Sequence, residues 1–281
     1  MTIRVRKAGE ICHLHNRSGG RREKRTMRIE YEDRELVVIY KEEGLPVQTG
    51  RTSRKDAVSL LKNHLAQTAR EVSGEKNPGK QGGNAEPYLG IVHRLDQPVE
   101  GLLVFAKTPG SAAALSAQAA SKDGMEKVYQ AVVNLNSASY PLAIEGRKRE
   151  VTLTDWLGRD FASNTAYIAS EGEKGARKAQ LSFRTQWIKE GRALLQIRLQ
   201  TGRHHQIRIQ MAHAAMPLVG DRKYGGAADE GEGDNSSAAY PLCLCAAKLC
   251  FTHPASKKGM TFCIEPSWLP LFSKDANMSI E

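Results

Sequence analysis

A single carboxylate at a charged corner is the residue of this chain best placed to do chemistry. Leu89-Gly90-Ile91-Val92 is an apolar entry, and His93-Arg94-Leu95-Asp96 is the corner. Pro98 and Gly101 then break the path, and Leu102 to Ala106 is a second apolar run. Short apolar runs between Pro/Gly punctuation read as buried strands, so Asp96 is expected on a loop between two of them. A carboxylate held there can act as nucleophile or as base, and rigid sheets carry their working residues on such loops. The same pattern also fits a turn Asp that bonds its own backbone, and position alone does not separate the two.

Other chemistries find less support. His93, His204, His205, His213 and His253 are scattered. Cys243, Cys245 and Cys250 lie on one apolar stretch, with no second Cys pair and no close His pair at zinc spacing, so no metal is expected. Cys243 and Cys245 are two apart, face one side of a strand and read as small buried hydrophobes. No Gly-rich loop has phosphate-cradling spacing, so no nucleotide or other cofactor is expected.

The 281 residues carry a formal charge of +10 at pH 7, with a pI near 9.4. A basic surface gains by releasing counterions from phosphates, which points to nucleic acid as partner before membrane. No apolar run is long enough to cross a bilayer, and the charged N-terminus lacks the apolar segment of a secretory signal. Five Cys without disulfide-type spacing suit a reducing, cytoplasmic setting.

The elements that must position Asp96 follow from periodicity and punctuation. Met1 to Arg28 is a basic arm rich in Arg and Lys. Leu36 to Lys41 reads as a buried strand. Ser53 to Val72 reads as a helix, with Ser53 and Asp56 as a capping-box pair and Ala57, Leu61 and Leu65 on one face. Flexible loops are expected at about 73–87 and 226–239. Ser111 to Ala120 is Ala-rich and helical. Strands are expected at Lys127–Val133, Val151–Leu157, Leu242–Phe251 and Thr261–Ile264, with a hairpin of Gln180–Ile188 and Ala193–Gln200 turning at Lys189-Glu190-Gly191-Arg192. That hairpin delivers Thr201-Gly202-Arg203 to a helix at His204–Ala215, with Ile207, Met211 and Ala215 on one face.

Three stretches in order resemble the RluA-type family of RNA pseudouridine synthases. His93-Arg94-Leu95-Asp96 with Gly101-Leu102-Leu103-Val104-Phe105-Ala106-Lys107 resembles the family's central motif. Thr201-Gly202-Arg203-His204-His205-Gln206-Ile207-Arg208 and Gly220-Asp221-Arg222-Lys223-Tyr224-Gly225 resemble two later ones. The resemblance runs from about Leu36 to Pro254 and is to the form without a separate N-terminal RNA-binding module. It implies an α+β fold: one catalytic domain over 29–281, with a mixed, mainly antiparallel central sheet flanked by helices and an active-site cleft across the sheet. It implies an isomerase that converts specific uridines of ribosomal or transfer RNA to pseudouridine, as a monomer and without a cofactor. By resemblance Asp96 is the catalytic carboxylate, Tyr129 in Lys127-Val128-Tyr129 packs against the target base, and Arg203 keeps the carboxylate ionised. His93, Arg94, His205 and Arg208 are the candidates for holding RNA.

The chain departs from the family at several points. Glu42 stands where the family has Pro in Lys-Pro-x-Gly, and Leu244-Cys245-Ala246 stands for Leu-His-Ala. Val99-Glu100 stands for Thr-Ser. Exposed Glu is the default, so Glu100 is expected to face solvent and Glu100→Ser to retain activity. Two other readings of a basic chain of this kind are a non-catalytic RNA-binding protein and a structural ribosome-assembly factor. Either would survive loss of Asp96.

Overall fold

The structure is a computed structural model that describes residues 3–4, 27–50, 55–73, 86–121, 123–225 and 240–272. In chain order the elements are β1 (Ile3–Arg4), β2 (Met27–Glu32), β3 (Leu36–Lys41), α1 (Ala57–Ser73), β4 (Gly90–Ile91), β5 (Glu100–Ala106) and α2 (Pro109–Ala120). There follow β6 (Glu126–Asn134), α3 (Tyr140–Lys148), β7 (Val151–Asp160), β8 (Thr165–Ala169), β9 (Arg177–Lys189) and β10 (Arg192–Leu199). Last come α4 (Gln206–His213), β11 (Leu244–Thr252), β12 (Gly259–Cys263) and a 3-10 turn at Leu269–Phe272. The class is α+β, with pairings mainly antiparallel and a parallel pair, β1 on β12, that makes it mixed. The chain forms two compact units: the described residues up to Met125 with Cys250–Phe262, and Glu126–Leu249 with the described residues from Cys263 on.

In the first unit the strand order β2-β3-β5 is antiparallel, with Leu36 opposite Ala106 and Lys41 opposite Gly101. Every residue of β3 and β5 is buried. Both strands are covered on their two faces, which is why they read as unbroken apolar runs rather than alternating ones. Ala57, Leu61 and Leu65 of α1 and Leu115 of α2 are buried, as the helical spacing predicts. Thr108 caps α2 by accepting from the Ser111 amide. The start of α1 differs from expectation. Asp56 is itself the capping residue: its Oδ1 accepts from the Ser59 amide at 2.7 Å and its Oδ2 from the Thr49 amide at 2.7 Å. A short carboxylate three residues before an orphan amide suffices as a cap, and Ser53 lies outside the described residues. The entry strand is shorter than predicted. Only Gly90–Ile91 pair with β5, and both are half-buried.

In the second unit the strand order runs from β11, which ends in the first unit, through β6-β10-β9-β7-β8, and β7–β8 and β9–β10 are hairpins. The β9–β10 turn falls at Glu190-Gly191 as the sequence indicates, with both residues at positive φ, 49° and 69°. Two central residues in the left-handed region match the twist of a two-residue hairpin. Cys243 and Cys245 are fully buried with Val132, Leu194, Val219, Ala247 and Trp268, as expected of small hydrophobes. Sequence reading passed over α3, which packs on β9. A Cβ on Gly146 would sit 2.8 Å from the Phe183 ring and 2.4 Å from Thr185 Oγ1, so only glycine lets this helix so close. β2 begins two residues inside the expected basic arm. Apart from Ile3–Arg4 and Met27–Arg28, the arm lies outside the described residues, as do most of the predicted 73–87 loop and all of 226–239.

Candidate active site

Asp96 lies between β4 and β5, on a loop held by bonds to the turn after β3. Gln97 fixes it from both sides. Its carbonyl accepts from the Gly44 amide at 3.0 Å and from Lys41 Nζ at 3.0 Å, and its side-chain amide donates to the Gly44 carbonyl at 3.0 Å. The Val99 amide closes a tight turn onto the Asp96 carbonyl at 3.0 Å. The backbone of Asp96 makes a turn, and its side chain is half-buried. His93 is half-buried, and its Nε2 accepts from the Val104 amide at 3.2 Å. That bond fixes the tautomer with the proton on Nδ1. Arg94 is exposed and donates to Gln48 Oε1 at 3.2 Å.

Lys41 ends β3 and is fully buried. Its ammonium donates to the carbonyls of Leu45 (2.9 Å), Gln97 (3.0 Å) and Glu42 (3.2 Å). Burial pushes the ammonium down to about 8, and the Asp96, Glu100 and Glu43 carboxylates oppose that shift. A buried cation is retained where carbonyls and carboxylates replace its water.

Glu100 corrects the sequence reading. It is 2 % exposed, not solvent-facing, and accepts from the Tyr40 hydroxyl. The cause is register: Leu102 pairs with Tyr40 and Gly101 with Lys41, so the strand carries Glu100 into the interior beside both. A carboxylate goes there only with a donor to meet it.

The second unit positions the remaining candidates. Tyr129 is buried in β6, with Ile197 of β10 as its partner in register. Arg203 follows the strand end. It is exposed, and its Nε donates to the Lys178 carbonyl at 3.0 Å. The buried Gln206 side chain shapes the turn around it. Gln206 Oε1 accepts from the Arg203 amide at 2.9 Å and from Thr201 Oγ1 at 2.7 Å, while Nε2 donates to the Gln180 carbonyl at 3.0 Å. The helix predicted from His204 therefore starts later, at Gln206, and His205 before it sits at φ 52°.

His205 is buried, with its Nδ1 2.8 Å from the Tyr224 hydroxyl. That hydroxyl accepts from the Ala166 amide at 2.7 Å, which leaves its own proton for Nδ1. Burial, then the positive Arg208, brings the imidazole down to about 3, so it is neutral at pH 7 with the proton on Nε2. Arg208 is 5 % exposed and makes a two-point pair with Asp221, at 2.7 and 2.6 Å. A guanidinium closed on a buried carboxylate has a structural role, and the expectation that Arg208 holds RNA loses its basis. Gly220, before Asp221, is required: its φ is 77° and an added Cβ would lie 2.0 Å from the Pro241 carbonyl oxygen.

Residues 35–213 match the RNA pseudouridylate synthase family. The chain belongs to that family. Within it the RluA-type assignment holds, and the chain is an RNA pseudouridine synthase, an isomerase. It is 31 % identical over 238 residues to ribosomal large subunit pseudouridine synthase D of Zymomonas mobilis, covering 84 % of this chain and 68 % of that one. It is 26 % identical over 256 residues to tRNA pseudouridine synthase C of Pasteurella multocida, covering 88 % and 96 %. The fold is shared with human RNA pseudouridylate synthase domain containing 4, at a TM-score of 0.59 and 20 % identity over 85 % of this chain and 89 % of that one.

Sequence reasoning named Asp96, Tyr129 and Arg203 but not the residues that hold their segments. Lys41, Gln97, Gln206 and Tyr224 act through bonds to residues distant in sequence. For Lys41 a signal was present, since a Lys ending an otherwise apolar strand is rarely buried without a task.

Proposed function

We propose that this synthase isomerises uridine in ribosomal or transfer RNA with Asp96 as its catalytic carboxylate. The observation that carries the reading is the clamped Asp96 turn, which holds a half-buried carboxylate on a rigid loop. The bond from the ribose carbon to N1 of uracil breaks, the base turns, and C5 joins the same ribose carbon. N1 gains a proton and C5 loses one to solvent, so the product is an isomer and no oxidant or energy source is consumed. Glycosidases use a second carboxylate to deliver water; an isomerase must instead keep water out.

Tyr129 packs on the target base, and Arg203 meets the negative charge at the carboxylate or the phosphate. Arg94 and His93 contact RNA beside the loop, and neutral His205 contributes through its Nε2 proton. The uridine leaves its stack at a cost of a few kcal/mol, least in a loop or bulge. The enzyme works as a cytoplasmic monomer on these RNAs. The two relatives act on different RNA classes by name, so the target is an outcome of the experiment.

The test is pseudouridine mapping of total RNA from cells with the wild-type chain, with Asp96→Ala, and without the gene. A site lost equally in the last two supports catalysis by Asp96 and identifies the RNA. A site lost without the gene but retained with Asp96→Ala turns the reading toward another catalytic residue. No change in any site favours a non-catalytic RNA-binding role.

A further inference from the structure

The β7–β8 hairpin closes in a turn at 161–164 that presents Phe161 to solvent. Phe161 is 79 % exposed, against 39–52 % for the other exposed large apolar side chains among the described residues. A lone exposed apolar side chain is ordinary, but this one is held in place. The Asp160 carboxylate accepts from the Ala162 amide at 2.9 Å and from the Ser163 hydroxyl at 2.6 Å, and Asn164 closes the turn at φ 53°. The Arg159 guanidinium lies over the Phe161 ring, 4.8 Å from its centroid, and donates to Asn164 Oδ1 at 3.0 Å. The hairpin tip is also tied to the Arg203–Tyr224 segment of the same unit. Lys223 Nζ donates to the Asn164 carbonyl at 3.0 Å, and His204 Nε2 donates to the same oxygen at 3.3 Å. The Ala166 amide of β8 donates to the Tyr224 hydroxyl at 2.7 Å. A fixed, open ring is thus bonded through its turn to the segment that carries Arg203, and Arg159, Arg203, Arg222 and Lys223 are all exposed there.

We propose that Phe161 is a stacking platform for an unpaired RNA base next to the target uridine, with the Arg159 guanidinium on the other face of the ring. The proposal rests on the reading that Arg203 meets the RNA, and it does not depend on which carboxylate reacts. Three physical points favour a base as the occupant. The exposed cations suit a phosphate backbone. The rest of the turn is Ala162, Ser163 and Asn164, so there is one ring and no apolar patch for a protein partner to cover. A uridine that leaves its stack also deprives its neighbour of a stacking partner. A ring already fixed by its turn replaces that partner with little further ordering. Stacking on a ring is tolerant of base identity, because every base has a π face, and a guanidinium on the same ring adds to it. Tyr129 is buried and is given to the base that reacts, whereas Phe161 is exposed and is given to one that does not.

The experiment uses the full chain purified as wild type, Phe161→Ala, Phe161→Leu, Phe161→Trp and Arg203→Ala. The probe is total RNA labelled with tritium at uridine C5 and prepared from cells lacking the gene. Tritium release gives kcat and KM, circular dichroism reports the fold, and light scattering reports the oligomeric state. Phe161→Ala is expected to raise KM about 10-fold with kcat within about 2-fold of wild type, the pattern of one lost base stack that contributes equally before and during reaction. Phe161→Leu, which is apolar without a π face, is expected to behave as Phe161→Ala. Phe161→Trp is expected to restore the wild-type KM, and its added indole emission is expected to be quenched when the RNA is added.

Wild-type KM in Phe161→Ala overturns the proposal. A Phe161→Leu that matches wild type while Phe161→Ala does not overturns it too, since the contact is then apolar rather than a stack. A change of oligomeric state in Phe161→Ala assigns the ring to a second copy of the chain and has the same force. If Arg203→Ala loses turnover while Phe161→Ala matches wild type, this inference alone fails. If both match wild type, the reading beneath it fails as well.

Discussion

Two segments carry the motifs of this family, and they are held in opposite ways. The Asp96 turn is fixed by a buried cation whose bonds all go to carbonyls and whose charge is shared among several acids. The Arg203–Tyr224 segment is fixed by a closed pair, Arg208 with Asp221, and by neutral donors and acceptors from Gln206, His205 and Tyr224. A closed pair mainly supports the fold. A shared cation also sets the electrostatics of whatever carboxylate stands beside it. Substitutions in the two segments should therefore separate stability from turnover.

The largest stability effect belongs to the closed pair. Asp221→Ala leaves Arg208 buried without its partner and should cost about 3–5 kcal/mol, seen as a large fall in denaturation midpoint. A near-native midpoint would mean that Arg208 is not structural and would restore it as a candidate RNA contact. Lys41→Met should cost less stability, about 1–3 kcal/mol for bonds that the carbonyls lose, while its kcat falls more steeply. If both substitutions lowered stability and turnover in parallel, the contrast between the segments would be gone.

A smaller change is expected at Tyr224→Phe. It removes the donor to His205 Nδ1 and the acceptor for the Ala166 amide, for about 1–2 kcal/mol in denaturant unfolding. A pH dependence is expected from Glu32 in β2. A hydrogen bond from His64, with help from Lys107 and against burial, brings the Glu32 carboxyl down from 4.5 to about 2. A lowered carboxyl adds stability that is present above its ordinary value of 4.5 and is lost as pH falls through about 2, below which folded and unfolded chains are both protonated. Urea midpoints measured between pH 6 and pH 3 should fall more in wild type than in Glu32→Gln; equal falls would mean that the carboxylate contributes nothing.

The sequence made the sheet partly legible because β3, β5, β6 and the β9–β10 hairpin are written in local patterns, apolar runs and a turn with Gly191. It made the Asp96 loop legible for the same reason, since Pro98 and Gly101 punctuate it. α3 was missed because Gly146 argues against a helix unless β9 is there to receive it, although Pro141 suits its first turn. Glu100 was misplaced because its burial depends on Tyr40, sixty positions away and adjacent only once β3 and β5 pair. The bonds of Lys41 were not legible for the same reason. Its partners belong to a turn and a loop that only pairing assembles. Arg208 was assigned to RNA because a basic residue in a motif invites it, and Asp221 thirteen positions on takes it instead.

The most direct test of the account is tritium release from C5-labelled RNA by purified wild type and Asp96→Asn, at equal folded concentration. Asparagine keeps the shape of the side chain and removes its charge. The account predicts release by the wild type and none above background by Asp96→Asn. Release by Asp96→Asn near the wild-type rate would contradict it, since a reaction that proceeds without this carboxylate is not the one the Asp96 turn is built to support.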